Sequence, residues 1–455
     1  MRSINMIKTI DDSKFNSFQA SILFWCGFII AFDGYDLVIY GSVVPALIEE
    51  WSLTPTQAGT LGSYALVGMM MGALIFGPLA DKIGRKKVIL FCVAMFSIFT
   101  GIAGFASGPA EFGIYRFIAG LGLGGVMPNT VALMTEYSPK SLKNTLVTIM
   151  FSGYSVGGML SAGLAIYLIP DFGWQSIFFV GAIPLLFLPI MYKTLPESPN
   201  FLLMKKDEKQ VRKVLSKIDP MYQYKQGDHF EGANQKQEGI PIVSLFKERR
   251  ALSTVMIWIA FFMCLLMIYG LNTWLPKLMV EAGYPISSSL IFLLLLNFGA
   301  IFGAVFGGWM ADRWGAKRIL ILFFITGALS LSMLGFKAPI LILYTLVAIA
   351  GASTIGTQII ANAYVSQYYP TEMRSSGVGW ALGVGRTGAI IGPIMGGVLL
   401  TMSLPTFQNF LVFAIPGVIG AICIMVVQEK YSSSAKSARA AENAEIPALQ
   451  RETKI

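Results

Sequence analysis

A single histidine, four cysteines and charged side chains at only 13% of positions leave this sequence without the usual equipment of a soluble enzyme. Soluble domains carry roughly 25% charge, so a water-soluble fold is excluded. The one histidine, His229, stands in a polar segment outside every apolar run and is not placed to carry protons through a membrane. Cys26, Cys92, Cys264 and Cys423 all fall inside apolar runs without metal-ligand spacing. They read as small packing hydrophobes, not as redox or metal groups. No G-x-x-x-x-G-K-[ST] phosphate loop occurs, which removes an ATP-driven machine. No nucleophile, metal or cofactor constellation argues for catalysis, so neither an enzyme nor a bound cofactor is expected.

Apolar side chains are abundant, at 55% of 455 residues with a mean hydropathy of +0.65. A helix needs ~20 mainly apolar residues to cross ~30 Å of hydrocarbon. Runs of that kind start near Ser21, Gln57, Val88, Glu111, Leu146, Gln175, Leu252, Ser288, Ile319, Pro339, Gly377 and Phe407, which predicts twelve spans. The first run, Ser21 to Ala46, is too long for a cleaved signal and lacks a small-residue cleavage site.

A pI of 9.2 and a net charge of +9 would raise the question of nucleic acid in a soluble protein. The positions of the charges answer it. Lys82, Arg85, Lys86, Lys87, Lys140, Lys143, Arg313, Lys317, Arg318 and Arg374 occupy alternate loops, while the other loops hold Glu49, Glu50, Glu111, Asp171 and Glu281 with Lys277 and Lys337. This is the positive-inside pattern, and it places both termini in the cytoplasm. The expected organisation is a tail at 1–17, a six-helix bundle at 18–194, a polar cytoplasmic linker at 195–250, a second bundle at 251–427 and a tail at 428–455 rich in Ser, Ala, Glu and Lys, read as disordered.

The two bundles align at one offset of 231 residues. Gly77, Asp81 and Gly84 fall on Gly308, Asp312 and Gly315; Tyr137, Pro139 and Lys143 fall on Tyr368, Pro370 and Arg374; Gly157 falls on Gly388. Chance seldom holds one register so far. A parallel duplication of this kind predicts a substrate site near the bilayer midplane where the halves meet, and transport by rocking of the halves.

The segment from Gly77 to Lys87 reads G-P-L-A-D-K-I-G-R-K-K and recurs, weakened, from Gly308 to Arg318. Its glycines allow a tight turn and close helix approach, and Asp81 can accept hydrogen bonds from a helix end or an arginine. This pattern resembles the loop signature of the major facilitator superfamily. The resemblance implies an all-α membrane protein of twelve helices in two pseudo-symmetric bundles, with Gly77, Asp81, Gly84, Arg85, Asp312 and Gly315 acting as a conformational latch. The plainer reading of the basic residues is a topogenic loop. The run Leu195-Pro-Glu-Ser-Pro199 resembles a sequence that closes the first half of many members.

The first span carries Asp33 and Asp36, one helical turn apart, near its middle. An Asp at the centre of a span costs ~2.5–3.5 kcal/mol on insertion scales, so two without a use are unexpected. Paired carboxylates in low dielectric resist ionising together, which suits a group that takes up and releases a proton; a structural pair is the alternative. The Asp33-Gly-Tyr-Asp36 arrangement, followed by Tyr40-Gly41, resembles the aromatic acid:proton symporters of that superfamily, the benzoate and 4-hydroxybenzoate transporter type. The resemblance implies proton-coupled import of a small aromatic carboxylate by a monomer, with the proton and the lipid bilayer as its other partners and no nucleic acid.

Other intramembrane polar residues fit that expectation. Arg116 must find a carboxylate or an anion and could couple proton to substrate, or pair structurally with Asp33 or Glu136. Glu136, near the end of the fourth span, reads as a proton relay or as interfacial. Arg386 in the eleventh span offers a bidentate fork for a carboxylate, amid glycines that leave room for a ligand. Tyr35, Asn129, Asn272, Gln358, Asn362 and Trp380 complete the candidate substrate contacts, on helices that line the cavity in the superfamily or beside one. Two rival functions stay open: a symporter of a non-aromatic organic acid or other metabolite, and a membrane sensor of aromatic acids.

Overall fold

A computed structural model describes residues 3–219, 229–231, 242–370 and 373–433. The 434–455 part of the tail and most of the second half of the linker lie outside the described residues. Twelve helices long and apolar enough to cross a membrane are present: α1 (Ser17–Glu50), α2 (Pro55–Ile83), α3 (Arg85–Ala103), α4 (Pro109–Tyr137), α5 (Lys143–Phe172), α6 (Gln175–Thr194, with a turn at 182–183), α7 (Ala251–Glu281), α8 (Ile286–Trp314), α9 (Ala316–Leu334), α10 (Ile340–Tyr368), α11 (Arg374–Thr401) and α12 (Thr406–Val426). The protein is thus an all-α, multi-pass membrane chain, and each span begins within a few residues of where the apolar runs place it. Many aliphatic and aromatic side chains remain exposed, among them Leu74, Phe105, Leu186 and Leu341. Lipid is the solvent that makes this exposure favourable.

The chain divides into two compact units, Met1–Lys236 with Asn272–Asn297, and Gln237–Leu271 with Phe298–Ile455. Within the first, α2 and α4 cross at glycines. A Cβ on Gly68 or Gly72 would strike the backbone of Phe117 or Leu121, and one on Gly120 or Gly124 would strike Ala65 or Met69. With no hydrophobic drive between helices in lipid, such backbone contact is what dispersion forces need. Within the second unit, Gly299 and Gly303 meet Ala348 and Ala352 in the same way, and these four are Gly68, Gly72, Phe117 and Leu121 plus 231. Likewise Gly157 lies against Ala31, and Gly388 against Phe262. The hydroxyl of Tyr137 donates to the Glu197 carbonyl, as that of Tyr368 does to Gln428. The duplication therefore extends from sequence to individual contacts.

Outside the spans, the first part of the polar linker is folded. The helix Glu208–Ile218 buries Val211, Val214, Leu215 and Ile218, one face of a 3.6-residue period. Asn16 caps α1 and donates from its amide to the carbonyls of Lys217 and Ile218, both at 3.0 Å. Two three-residue strands, β1 (Ser3–Asn5) and β2 (His229–Glu231), pair in parallel and are the sheet among the described residues.

Candidate functional site

Three helices of the first unit deliver a buried polar cluster. Asp36 on α1 and Arg116 on α4 are each 1% exposed. Arg116 Nη1 donates to both carboxylate oxygens of Asp36, at 2.7 and 2.8 Å, and Nη2 donates to the Asp36 carbonyl at 3.0 Å. Thr100 on α3, fully buried, donates to Asp36 Oδ1 at 2.6 Å. The Arg116 guanidinium also stands 5.8 Å from the centre of the Phe178 ring on α6. Asp33 is fully buried one turn earlier on α1.

Burying an ion pair is no gift to stability: the desolvation of two charges offsets most of their attraction. The second half tests whether the fold requires one. Adding 231 to 36, 100 and 116 gives Met267, Leu331 and Val347, and all three are fully buried. One copy of the bundle packs these positions with apolar side chains. The other copy places an ion pair and a hydroxyl there.

Glu136 belongs to a different cluster. Arg85 Nη2 lies 3.0 Å from its carboxylate, and it accepts from Ser198 Oγ at 2.6 Å and Asn200 Nδ2 at 2.9 Å. Arg85 also lies 3.7 Å from Asp81, and the amides of Lys86 and Ser198 donate to Glu197 Oε1. Gly84 makes this junction possible: its φ of +105° is a left-handed conformation, and a Cβ there would enter the Glu197 carboxylate. Gly315 repeats the conformation at +89°. Gly77 has open space around it, so close helix approach is not its role, and Asp312 is exposed. From sequence Glu136 read as a proton relay or as interfacial; its hydrogen bonds and ion pair join it to Arg85 at the start of α3 and to Ser198 and Asn200 after α6.

The substrate candidates fall in both units. The Tyr35 hydroxyl donates to the Ile177 carbonyl at 2.8 Å, and the Asn129 amide donates to the Gly125 and Phe76 carbonyls. Both are buried and turned into the first unit. Asn272 faces Asn297 Nδ2 at 3.4 Å. In the second unit Arg386, Gln358 and Asn362 are half-buried. Trp380 stacks on Trp258 with ring centres 6.0 Å apart. Thr100, Trp258 and Asn297 were missed from sequence. For Thr100 a signal existed, since a hydroxyl stands where the aligned copy has Leu331.

Comparison with known proteins bears on the fold and the family. The chain is 48% identical to the benzoate transport protein of Acinetobacter baylyi over 94% of each chain. It is 35% identical to the 4-hydroxybenzoate transporter PcaK of the same organism, over 93% of this chain and 94% of the relative. Among solved structures, a D-xylose-proton symporter superposes with a TM-score of 0.68 at 18% identity, over 90% of this chain and 97% of that one, which speaks to fold alone. The family model of the Major Facilitator Superfamily matches residues 24–307 and 293–452. The chain therefore belongs to the Major Facilitator Superfamily, alongside relatives that include the benzoate and 4-hydroxybenzoate transport proteins.

Proposed function

We propose that this protein is a proton-coupled symporter that imports a small aromatic carboxylate of the benzoate or hydroxybenzoate type by alternating access, not an enzyme. The observation that carries the reading is the Asp36–Arg116 ion pair, held in a bundle whose twin closes the same positions with Met267 and Val347. The names of the relatives, benzoate transport protein and 4-hydroxybenzoate transporter, supply the substrate class. The chain sits in the inner membrane with both termini in the cytoplasm. Residues 18–194 and 251–427 are the two moving halves, joined by 195–250.

The mechanism follows from charge neutralisation. While Asp36 is ionised, Arg116 is satisfied and has little call on an anion. Protonation removes that partner and leaves a guanidinium in low dielectric, where an unpaired charge is costly. A substrate carboxylate then restores the pairing, so proton and anion move together or not at all. Asp33, one turn away, exchanges protons with the pathway. Within the second unit, Arg386 offers a bidentate fork for a carboxylate, and Trp380, Gln358 and Asn362 are further candidate contacts. Arg85, Asp81, Glu136 and Gly84 form the latch. One proton with one monovalent anion is electrically neutral, so a pH difference drives uptake at ~1.36 kcal/mol per unit.

The test is radiolabelled benzoate uptake by purified protein in proteoliposomes after a pH jump. Accumulation that collapses with a protonophore and is competed by 4-hydroxybenzoate, but not by aliphatic acids, is expected. Binding without accumulation would favour the sensor, and competition by aliphatic acids would favour a broader organic-acid carrier. In the same assay Arg386→Lys should raise the apparent KM about tenfold, because a point charge replaces a bidentate fork. An unchanged KM removes Arg386 from the substrate contacts.

A further inference from the structure

Hydroxyls in these spans usually turn back on their own helix. Ser63 donates to Gly59, Thr130 to Val126, Thr354 to Ala350 and Thr357 to Ser353. Thr100 crosses to another helix instead and donates to Asp36 Oδ1 at 2.6 Å. Its methyl fills a notch at Gly181 on α6, where an added Cβ would stand 2.6 Å from Thr100 Cγ2. The side chain is thus fixed by shape on one side and by the carboxylate on the other. On the Asp36 carboxylate, Oδ1 accepts from Thr100 and Arg116, and Oδ2 accepts from Arg116. The other titratable groups around this pair on its own helix include Asp33, Tyr35 and Tyr40, the last close enough to feel Arg116.

We propose that Thr100 is a positioning residue that keeps Asp36 hydrogen-bonded in both of its protonation states. The inference rests on the reading of Asp36 as a proton carrier. A guanidinium has donors only, so Arg116 serves the ionised carboxylate and offers nothing to the O–H of the acid. A hydroxyl both donates and accepts. Thr100 donates to the carboxylate and, after its own proton rotates away, accepts from the carboxylic acid. The transferred proton is held on Asp36 Oδ1, the oxygen that Thr100 Oγ faces at 2.6 Å, and leaves from it, while Arg116 Nη1 stays on Oδ2 at 2.8 Å; Thr100 and Arg116 keep their own protons throughout. Without the hydroxyl, the acid form is left buried with an unmet donor, the expensive side of the hydrogen-bond balance. The aligned copy needs no such group, since Met267 does not titrate and leucine, Leu331, occupies the position of Thr100.

Two substitutions separate hydroxyl from shape. Thr100→Val keeps the branched outline and removes the hydroxyl, and Thr100→Ser does the reverse. Each is compared with the parent in proteoliposomes using radiolabelled benzoate, by pH-jump accumulation and by counterflow exchange, which needs no net proton movement. Thr100→Val should lower accumulation roughly tenfold while counterflow stays within about twofold, and Thr100→Ser should stay within about twofold in both. Parallel loss of accumulation and counterflow in Thr100→Val, or equal failure of the serine variant, would mark Thr100 as packing only and overturn the proposal. Unchanged accumulation in Thr100→Val would overturn it as well. A parent protein that accumulates no benzoate would instead defeat the functional reading, and this inference with it.

Discussion

Replacing Asp36, Thr100 and Arg116 together by their counterparts from the second half, as Asp36→Met, Thr100→Leu and Arg116→Val, should yield a protein that inserts and melts at least as high as the parent yet accumulates no substrate. The second bundle already closes these positions with Met267, Leu331 and Val347, all fully buried. Volume is gained at positions 36 and 100 and lost at 116, a net gain that the cluster must absorb by repacking. A buried ion pair exchanged for apolar side chains of similar total volume is often neutral or stabilising, whereas removal of one partner costs about 3–5 kcal/mol. Arg116→Val alone should therefore melt well below the triple variant, because Asp36 loses the guanidinium that neutralises it. Thermal unfolding in detergent, read beside pH-jump uptake, checks both halves of this expectation. A triple variant that fails to fold would mean the charges serve the bundle itself, and the coupling argument would fall.

The second large effect is expected at the α2–α4 crossing. Gly124→Val should abolish recovery of monodisperse protein, and Gly120→Val should do nearly the same. A side chain at either position enters the backbone of α2, at Met69 or Ala65, which no rotamer change can relieve. Separating the two helices removes contact along their whole length, and lipid supplies no hydrophobic drive to bring them back. Gly77→Ala is the matched control, since a Cβ there meets open space. Size-exclusion profiles of the three variants decide the point. Folded, monodisperse Gly124→Val would show that the crossing tolerates separation.

The twelve spans were legible because hydrocarbon thickness imposes a length and a composition that no soluble helix matches. The duplication was legible because one offset aligns motif residues in both halves; the contacts of Gly157 and Gly388 proved equivalent, whereas Gly84 meets Glu197 and Gly315 meets open space. Asp33, Asp36 and Arg116 announced themselves by the cost of placing charge in lipid. Glu136 was harder to assign. Its position near the end of a span fits a relay or an interfacial anchor equally, and only the approach of Arg85, Ser198 and Asn200 from other segments separates them. Tyr35 looked available to a ligand, but its hydroxyl is engaged by the Ile177 carbonyl, 142 residues away.

The sequence by itself determined that the chain spans a membrane, that it is built twice over, and which few residues carry charge into the apolar interior. These follow from local terms, namely length, hydropathy and the transfer cost of each side chain, which a linear reading sums directly. Partnership was decided only by the tertiary structure. Asp36 takes its donors from Arg116, 80 residues on, and Thr100, 64 residues on. Hydrogen bonds form over about 3 Å and demand direction, so which of several plausible donors reaches a given carboxylate depends on how the helices rotate and cross, and glycine contacts such as Gly34 against Tyr154 and Gly120 against Ala65 help to set that crossing.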